Sequence, residues 1–335
     1  MRRLIFAAAS VAALAVAGPA SAQSPIVIKF SHVVAANTPK GAAAEKFREL
    51  AEKYTEGKVK VEIYPNSTLY KDKEELEALQ LGAVQMLAPS NSKFGPIGVR
   101  EFEVFDLPYI LPDLATLRKV TDGPLGAKLL KKLEPKGMTG LAYWDNGFKE
   151  MTANKKLITP DDYKGVKFRV QSSKVLEAQF RALGAIPQVM AFSEVYQALQ
   201  TGVVDAVETT PSNSYTQKFY EVQKYMTVSY HGRLTYALVT NKKFWDALPE
   251  DVKAPLERAV KESTDFFNET AAKDNADALE KIKASGKVQV HVLTDEEKKA
   301  WVAKLMPVHK EMQSRFGKDF IEKIYKASGF TPPQS

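Results

Sequence analysis

"KGVKFRVQSSKVLEAQFRALGAIPQVMAFSEVYQALQTGVVDAVE" occupies residues 164–208. Val166, Phe168 and Val170 alternate with Lys167, Arg169 and Gln171, the period-two pattern of a half-buried strand. Lys174 to Leu183 is a helical run, and "AIPQVM" reads as a short strand despite Pro187. Ser193 caps a second helix to Thr201, Gly202 ends it, and "VVDAVE" is a third strand. Strand, helix, strand, helix, strand is the order of a parallel sheet covered by its own crossovers. The pattern leaves an arginine at the carboxyl end of a strand, just before a helix begins. Two readings of Arg169 stand open on alternation alone: it faces water with Lys167, or it points into a ligand crevice.

The same order occurs nearer the start. "PIVIKFSHV" is a strand, Ile26 to Val33; Asn37 or Thr38 caps a helix, Pro39 suits its first turn and Gly57 stops it. "KVKVEIYP" alternates as a strand, "KDKEELEALQLG" is a helix ending at Gly82, and "AVQMLAPS" is a short strand ending near Ser90. "ALQLGAVQ" (78–85) matches "ALQTGVVD" (198–205) at the helix–glycine–strand junction of the two units. Two similar α/β lobes are the expectation.

Between the units lie the aromatic and proline-rich "FEVFDLPYILPD" (102–113), a helical segment to about Leu133 and the strand "MTGLAYW" (138–144). "LTYALVTN" (234–241) is a further strand, followed by about 35 residues of helical pattern before Gly286. The mean helix is ~11–12 residues, so one this long can span both lobes. "KVQVHVL" is a strand, Thr294 and Glu297 have capping-box spacing, the last helices run to about Ala327, and "TPPQS" is a frayed tail.

The first residues join Arg2 and Arg3 to a short apolar run, Leu4 to Ala17, and to Ala20-Ser21-Ala22. That is the pattern of a secretory signal cleaved after Ala22, giving a periplasmic protein. No later stretch offers ~18 consecutive apolar residues, so no direct membrane insertion is expected. The chain has no cysteine, which is compatible with an oxidising compartment and excludes a lipoprotein anchor. Its formal charge is +7, or +5 without Arg2 and Arg3. Lysines and arginines are scattered, never five in a row and not interleaved with aromatics, which argues against nucleic acid and allows small anions.

Catalytic signatures are missing. His32, His231, His291 and His309 lack metal-ligand spacing, and there is no cysteine nucleophile, G-x-S-x-G elbow, G-x-G-x-x-G or phosphate loop. Asp161-Asp162 reads as a turn cap. No enzyme activity, cofactor or metal is expected. A periplasmic hydrolase or isomerase is the rival reading, with Glu208 and His32 as its acid/base residues. Ligands of open α/β sheets sit outside the carboxyl ends of the strands, where helix N-termini offer unpaired N–H groups; Arg169 stands at such an end.

"KGVKFRVQSS", "ALGAIPQVMAFSEVYQALQTGVVDAVETTPSN", "KFYEVQKYMTVSYH" and "NKKFWDALPED" resemble the solute-binding (DctP-type) subunits of tripartite ATP-independent periplasmic (TRAP) transporters, over nearly the whole mature chain. "KFSHVVAANTPKG" and "MLAPSNSKFGPIGVREFEVFDLPYI" are similar to members that bind four-carbon dicarboxylates. The resemblance implies the two-lobed periplasmic-binding-protein fold, each lobe a mainly parallel sheet flanked by helices, with a long helix spanning both. It implies a receptor that closes on a small organic acid and delivers it to small and large membrane subunits, with import driven by an ion gradient; a monomer is the separate expectation. The implied lobes are 23–146 with 235–274, and 147–234 with 275–335.

The family's carboxylate-clamping arginine lies in a G-x-K-x-R segment, here Gly165, Lys167 and Arg169. The resemblance therefore selects the crevice reading, in which a planar guanidinium grips a carboxylate by two parallel hydrogen bonds. A second family arginine falls at Lys149, a point charge without the fork, which either enters the cleft or is solvated. Phe192 matches an aromatic that packs on the ligand, or is a core phenylalanine. Either Thr209, where relatives often have asparagine, or Asn213 hydrogen-bonds the ligand. Lys40, Ser90, Asn91 and Tyr236 are further candidates, and His32 is either a candidate or a structural histidine. Arg169 with Lys149 could serve one carboxylate of succinate, malate or fumarate, and Lys40 the other. The alternatives are a monocarboxylate or hydroxy acid whose tail meets Phe192 and Tyr236, or a sensor role for the same receptor.

Overall fold

The computed structural model describes residues 24–332; the signal sequence and its cleavage site lie outside them. Strand β1 (Ile26–Ser31) leads to the helix Pro39–Tyr54, and β2 (Val59–Tyr64) and β3 (Met86–Leu87) follow. Of the two possible caps, Thr38 is the one used: its Oγ accepts the Gly41 N–H at 3.1 Å, with Pro39 in the first turn. Gly41 is required by close approach, since a Cβ there would lie 2.2 Å from the Ala36 carbonyl oxygen. β4 (Met138–Phe148) runs almost directly into β5 (Glu150–Ala153), and β6 (Lys167–Val170), β7 (Ile186–Val189), β8 (Ala206–Thr209) and β9 (Tyr225–Val228) follow. β10 (Arg233–Asn241) and β11 (Gln289–Val292) complete the set.

These strands make two sheets flanked by helices, ordered β2-β1-β3-β10-β4 and β11-β9-β5-β8-β6-β7. Each sheet is mainly parallel with one reversed strand, β10 in the first and β5 in the second. The reversals arise where the chain changes sheet. It leaves the first sheet after Phe148 to become β5, and returns after β9 as β10, which pairs antiparallel with β4. β5 and β9 carry no expectation from the sequence.

Three local expectations change. β6 is not half-buried: it lies between β8 and β7, and Phe168, Arg169 and Val170 are all buried. An interior strand of a sheet covered on both faces loses the polar alternation. Phe168 stacks on Phe180 with centroids 3.9 Å apart, so this strand is core. Ser193 does not cap; it sits in a 3₁₀ turn, Phe192–Glu194, ahead of the helix Val195–Thr201. Gly202 ends that helix at φ +73°, as expected. The strand ending near Ser90 shortens to β3, although Ser90 still bridges Tyr236 of β10.

The long helix is Glu250–Ala284, 35 residues. Its first part covers the first sheet, where Phe267 stacks on Trp144 at 5.0 Å and Thr264 accepts the Trp144 indole N–H at 2.9 Å. Further along, Asn275 Oδ1 accepts the Ser212 N–H at 3.0 Å while its Nδ2 donates to the Asn146 carbonyl at 2.9 Å. Its last turns belong to the second sheet, with Ile282 packed with Met226 and Val288. The chain then returns: Ile321 and Ile324 of the helix Lys318–Ser328 join the cluster of Leu117 and Val120. The terminal helix therefore packs on the first half, whereas the implied boundaries group it with the second. Among the described residues no helix is long and apolar enough to cross a membrane.

Asn275 ties one rigid helix to a residue of each sheet region, so its loss leaves a buried N–H and a buried carbonyl short of a partner. Asn275→Ala is expected to lower unfolding free energy by ~1–3 kcal/mol in urea titrations. Lys273→Ala, on the exposed side with only an i,i+4 partner, should stay within ~0.5 kcal/mol. Equal midpoints and slopes for Asn275→Ala and the parent would refute the joint.

Candidate ligand-binding site

The carboxyl ends of β1, β6 and β8 converge on a narrow cavity. Arg169 reaches it from β6. Its Nε and Nη2 donate to the Met190 carbonyl at 3.1 and 2.8 Å, which fixes the guanidinium plane, and its Cζ stands 5.6 Å from the Phe192 ring centroid. No carboxylate of the described residues hydrogen-bonds it. Burial pulls its pKa down, with Asp72 and Glu208 acting in the other direction.

Lys40 enters from the first turn of the helix Pro39–Tyr54. Its ammonium lies 3.5 Å from the centroid of the Tyr236 ring, and among the described residues it has no carboxylate within salt-bridge distance. Burial, and then the charge of Lys93, lower its pKa to about 7. Lys93 is also buried on the cavity wall, but it is fully engaged, by Asp72 and by Glu75 at 2.8 Å, and its pKa is raised. Asp72 lines the cavity too. Burial works to raise its pKa, yet Lys93 and Arg169 hold it below the usual carboxylate range.

Lys149 stands at the step from β4 to β5 and lines the same cavity. Its Nζ donates to Glu208 Oε1 at 2.8 Å and lies 4.0 Å from Asp106 Oδ1. His231 Nε2 holds the other Glu208 oxygen at 2.7 Å, and its Nδ1 meets Ser229 Oγ at 2.7 Å. Burial lowers the His231 pKa, so the neutral ring donates from Nε2 and accepts at Nδ1. Against the penalty of burial, Lys149 and His231 bring Glu208 down to about 2. Asp106, pushed up to about 6 by burial, is the weaker partner of Lys149. The charge of Lys149 is thus matched inside the protein, unlike that of Arg169 or Lys40.

Arg169, Lys149, Thr209, Asn213, Phe192, Lys40, Ser90 and Tyr236 all line this cavity. Phe192 does so while packing edge-on against Phe219 at 5.8 Å, so the core and cavity readings coexist. Asn213 Nδ2 donates to Thr209 Oγ at 3.3 Å and Tyr236 Oη at 3.5 Å, and its Oδ1 has no partner among the described residues. Two expected residues stand outside the lining. Asn91 donates from Nδ2 to Thr235 Oγ at 2.9 Å, while its Oδ1 has no partner among the described residues. His32 is buried behind the wall, its pKa lowered to about 3 by burial and by Lys40, so it is a neutral ring. As acid/base residues, Glu208 is a locked anion and His32 lies off the cavity.

Sequence reasoning missed Lys93, Asp72 and Gln171. Lys93 looked like any solvated lysine, since Asp72 and Glu75 lie far from it in sequence. Gln171 Oε1 accepts from Ser90 Oγ across the two sheets, a pairing no local pattern signals. Among the described residues no cluster of His, Cys, Asp and Glu could hold a metal ion.

Residues 30–315 match the family model described as bacterial extracellular solute-binding protein, family 7. The chain is 62% identical over 320 residues to the C4-dicarboxylate-binding periplasmic protein DctP of Rhodobacter capsulatus, covering 96% of each. It is 45% identical to the C4-dicarboxylate-binding protein DctB of Bacillus subtilis, covering 90% of this chain and 86% of that one. The fold superposes on a TRAP periplasmic solute-binding protein of Shewanella oneidensis with bound succinate (TM-score 0.88, 45% identity, 91% of this chain and 99% of that one). It also superposes on one from Pseudomonas aeruginosa with bound L-malate (TM-score 0.83, 44% identity, 86% and 100%). The two sheets, the shared helix and the cation-lined cavity are those of a solute receptor, and the chain belongs to family 7 of the bacterial extracellular solute-binding proteins.

Proposed function

We propose that this protein is the extracytoplasmic receptor of a TRAP transporter and captures a four-carbon dicarboxylate such as succinate, malate or fumarate. Two buried cations that line one cavity, Arg169 and Lys40, neither with a carboxylate of the described residues within salt-bridge distance, carry this reading. A buried ion needs a hydrogen-bonded counter-charge. A dicarboxylate brings one for each, since among the described residues neither Arg169 nor Lys40 has a carboxylate within salt-bridge distance, whereas Lys93 and Lys149 are paired with Asp72, Glu75 and Glu208. The succinate and L-malate bound in the two superposed relatives agree with this. Asn213 Oδ1, an acceptor on the same wall, suits the hydroxyl of a hydroxy diacid.

The lobes implied by the sequence, 23–146 with 235–274 and 147–234 with 275–335, the terminal helix Lys318–Ser328 moving instead with the first on which it packs, are proposed to close over the acid about the steps at Phe148–Lys149 and Tyr230–Arg233. The loaded form would pass the acid to the small and large membrane subunits. Export to the periplasm with cleavage after Ala22, and binding without turnover, belong to the same proposal.

Isothermal calorimetry tests the substrate class. Succinate, L-malate or fumarate should bind more tightly than matched monocarboxylates, and mass spectrometry should recover the ligand unchanged. Equal or tighter binding of pyruvate rejects the dicarboxylate, and conversion beyond one equivalent rejects the receptor.

Arg169→Ala removes a charged fork worth ~1.5–3 kcal/mol per hydrogen bond, and a lost buried partner costs ~2–5 kcal/mol. Binding should weaken by roughly two to four decades. Arg169→Lys should recover part of it, restoring charge without the fork. Lys167→Ala should cost under about tenfold, because Lys167 is a half-exposed partner of Asp205 and the Gly202 carbonyl. Parent-like affinity of Arg169→Ala would remove the anchor.

Lys40 makes affinity depend on pH. A ligand carboxylate raises its pKa from about 7, so binding above that pH takes up a proton. Affinity should be full below pH 7 and fall by up to about tenfold per unit as pH rises past it, until the raised pKa is reached. Lys40→Arg, charged throughout, should flatten this profile. A profile that stays unchanged in Lys40→Arg excludes Lys40 as the source.

A further inference from the structure

Between β2 and β3, residues 66–72 of the first half contact the second half, and the helix expected from Lys71 begins only at Glu75, which leaves Lys71 and Asp72 ahead of it. Asn66 Oδ1 accepts from Gln217 Nε2 at 3.3 Å, and Lys71 Nζ pairs with Glu194 Oε1 at 2.9 Å. Between them in kind is Asp72, which is buried and reaches further. One oxygen pairs with Lys93 of its own half. The other accepts the backbone N–H of Phe192, at the start of the 3₁₀ turn in the second half. Phe192 is the aromatic beside the Arg169 guanidinium, and Met190, two residues earlier, carries the carbonyl that holds its Nε and Nη2.

We propose that Asp72 is a positioning residue for ligand capture: its carboxylate bolts the Met190–Phe192 segment, and through it Arg169, to the first half when the cleft closes. This rests on the receptor reading above and adds to it a specific cross-cleft contact. The geometry explains why a carboxylate stands on the wall of an anion site. Two cations compensate its charge, Lys93 by direct pairing and Arg169 through the field, so it can grip an N–H without repelling the acid. The bond joins parts of the two halves, so it can form only when they approach. It stabilises the closed form and does not enter the encounter with the open one. Charge-assisted bonds to a backbone N–H are among the stronger hydrogen bonds. The neighbouring Lys71–Glu194 pair is half exposed and contributes little.

The test is stopped-flow binding of succinate and of L-malate to the full mature chain, separating association from release. Asp72→Ala should raise the release rate on the order of tenfold or more, the loss of one charged hydrogen bond, while association changes less than about threefold. Asp72→Asn keeps an oxygen that can accept the Phe192 N–H and should recover part of the slow release; it also stands in if the alanine variant does not fold. Lys71→Ala should release at about the parent rate. Urea unfolding without ligand reads the Asp72–Lys93 pair separately, because a purely structural role lowers that midpoint without altering release from the folded protein. Parent-like release by both Asp72 variants, or a loss confined to association, overturns the role of Asp72 alone. Failure of the parent to bind either acid overturns the receptor reading, and the role of Asp72 with it.

Discussion

Arg169 and Lys40 are cations held almost entirely out of water on one cavity wall, and most of the molecule is arranged around that constraint. An ion removed from water costs several kcal/mol unless a counter-charge and hydrogen bonds replace the solvent. Arg169 tolerates it through the Met190 carbonyl, the Phe192 ring and the nearby charges of Asp72 and Glu208. Lys40 has the Tyr236 ring and a depressed pKa. Among the described residues neither cation has a carboxylate within salt-bridge distance, and on the proposed function ligand carboxylates make up the shortfall.

The architecture supplies the means to bring such groups together and to separate them. β4 passes directly into β5 and β10 returns, so each sheet takes one reversed strand from the exchange. Lys149 sits at the first of these steps, where it meets Glu208 of the second sheet and Asp106 of the first half. The 35-residue helix gives both sheets a common rigid support, with Asn275 bonded towards each. Arg169 and Thr209 stand at strand ends in the second sheet, while Lys40 and Ser90 come from the first, so a ligand touching all four registers the approach of the two halves.

Much of this was legible in the residues. The long helix runs for 35 residues without a glycine, and its observed end, Ala284, falls two residues short of the Gly286 expected to stop it. Arg169 drew attention as a guanidinium at a strand end, but alternation alone left its side open, because an interior strand hides both faces and the period-two rule assumes that one is wet. What stayed hidden were pairings across long separations. Lys149 has the right charge at a family position, yet Glu208, 59 residues away, already holds it. Lys93 and Asp72 form an ion pair that neither local sequence signals, and Asn91, beside a lining serine, is turned to Thr235. Charge type can be read from one chain; charge matching needs the fold.

That matching also bears on why the second cation is a lysine. Lys149 donates to Glu208 and has Asp106 at 4.0 Å, a task for a compact point charge between carboxylates from two directions, whereas a planar fork favours one partner in its own plane. With Lys149 and Lys93 directly paired to protein carboxylates, Arg169 and Lys40 are the lining cations without a direct carboxylate partner among the described residues. A monoanion satisfies one and leaves the other desolvated. A dianion of the right length satisfies both. The two cations are not equivalent, because the guanidinium stays charged while Lys40, near pH 7, can shed its proton. On the proposed function, the penalty against a monoanion is therefore greatest where Lys40 must stay protonated and softens as it becomes neutral, so that selectivity for a second carboxylate would be set by one buried lysine and affinity for the first by Arg169.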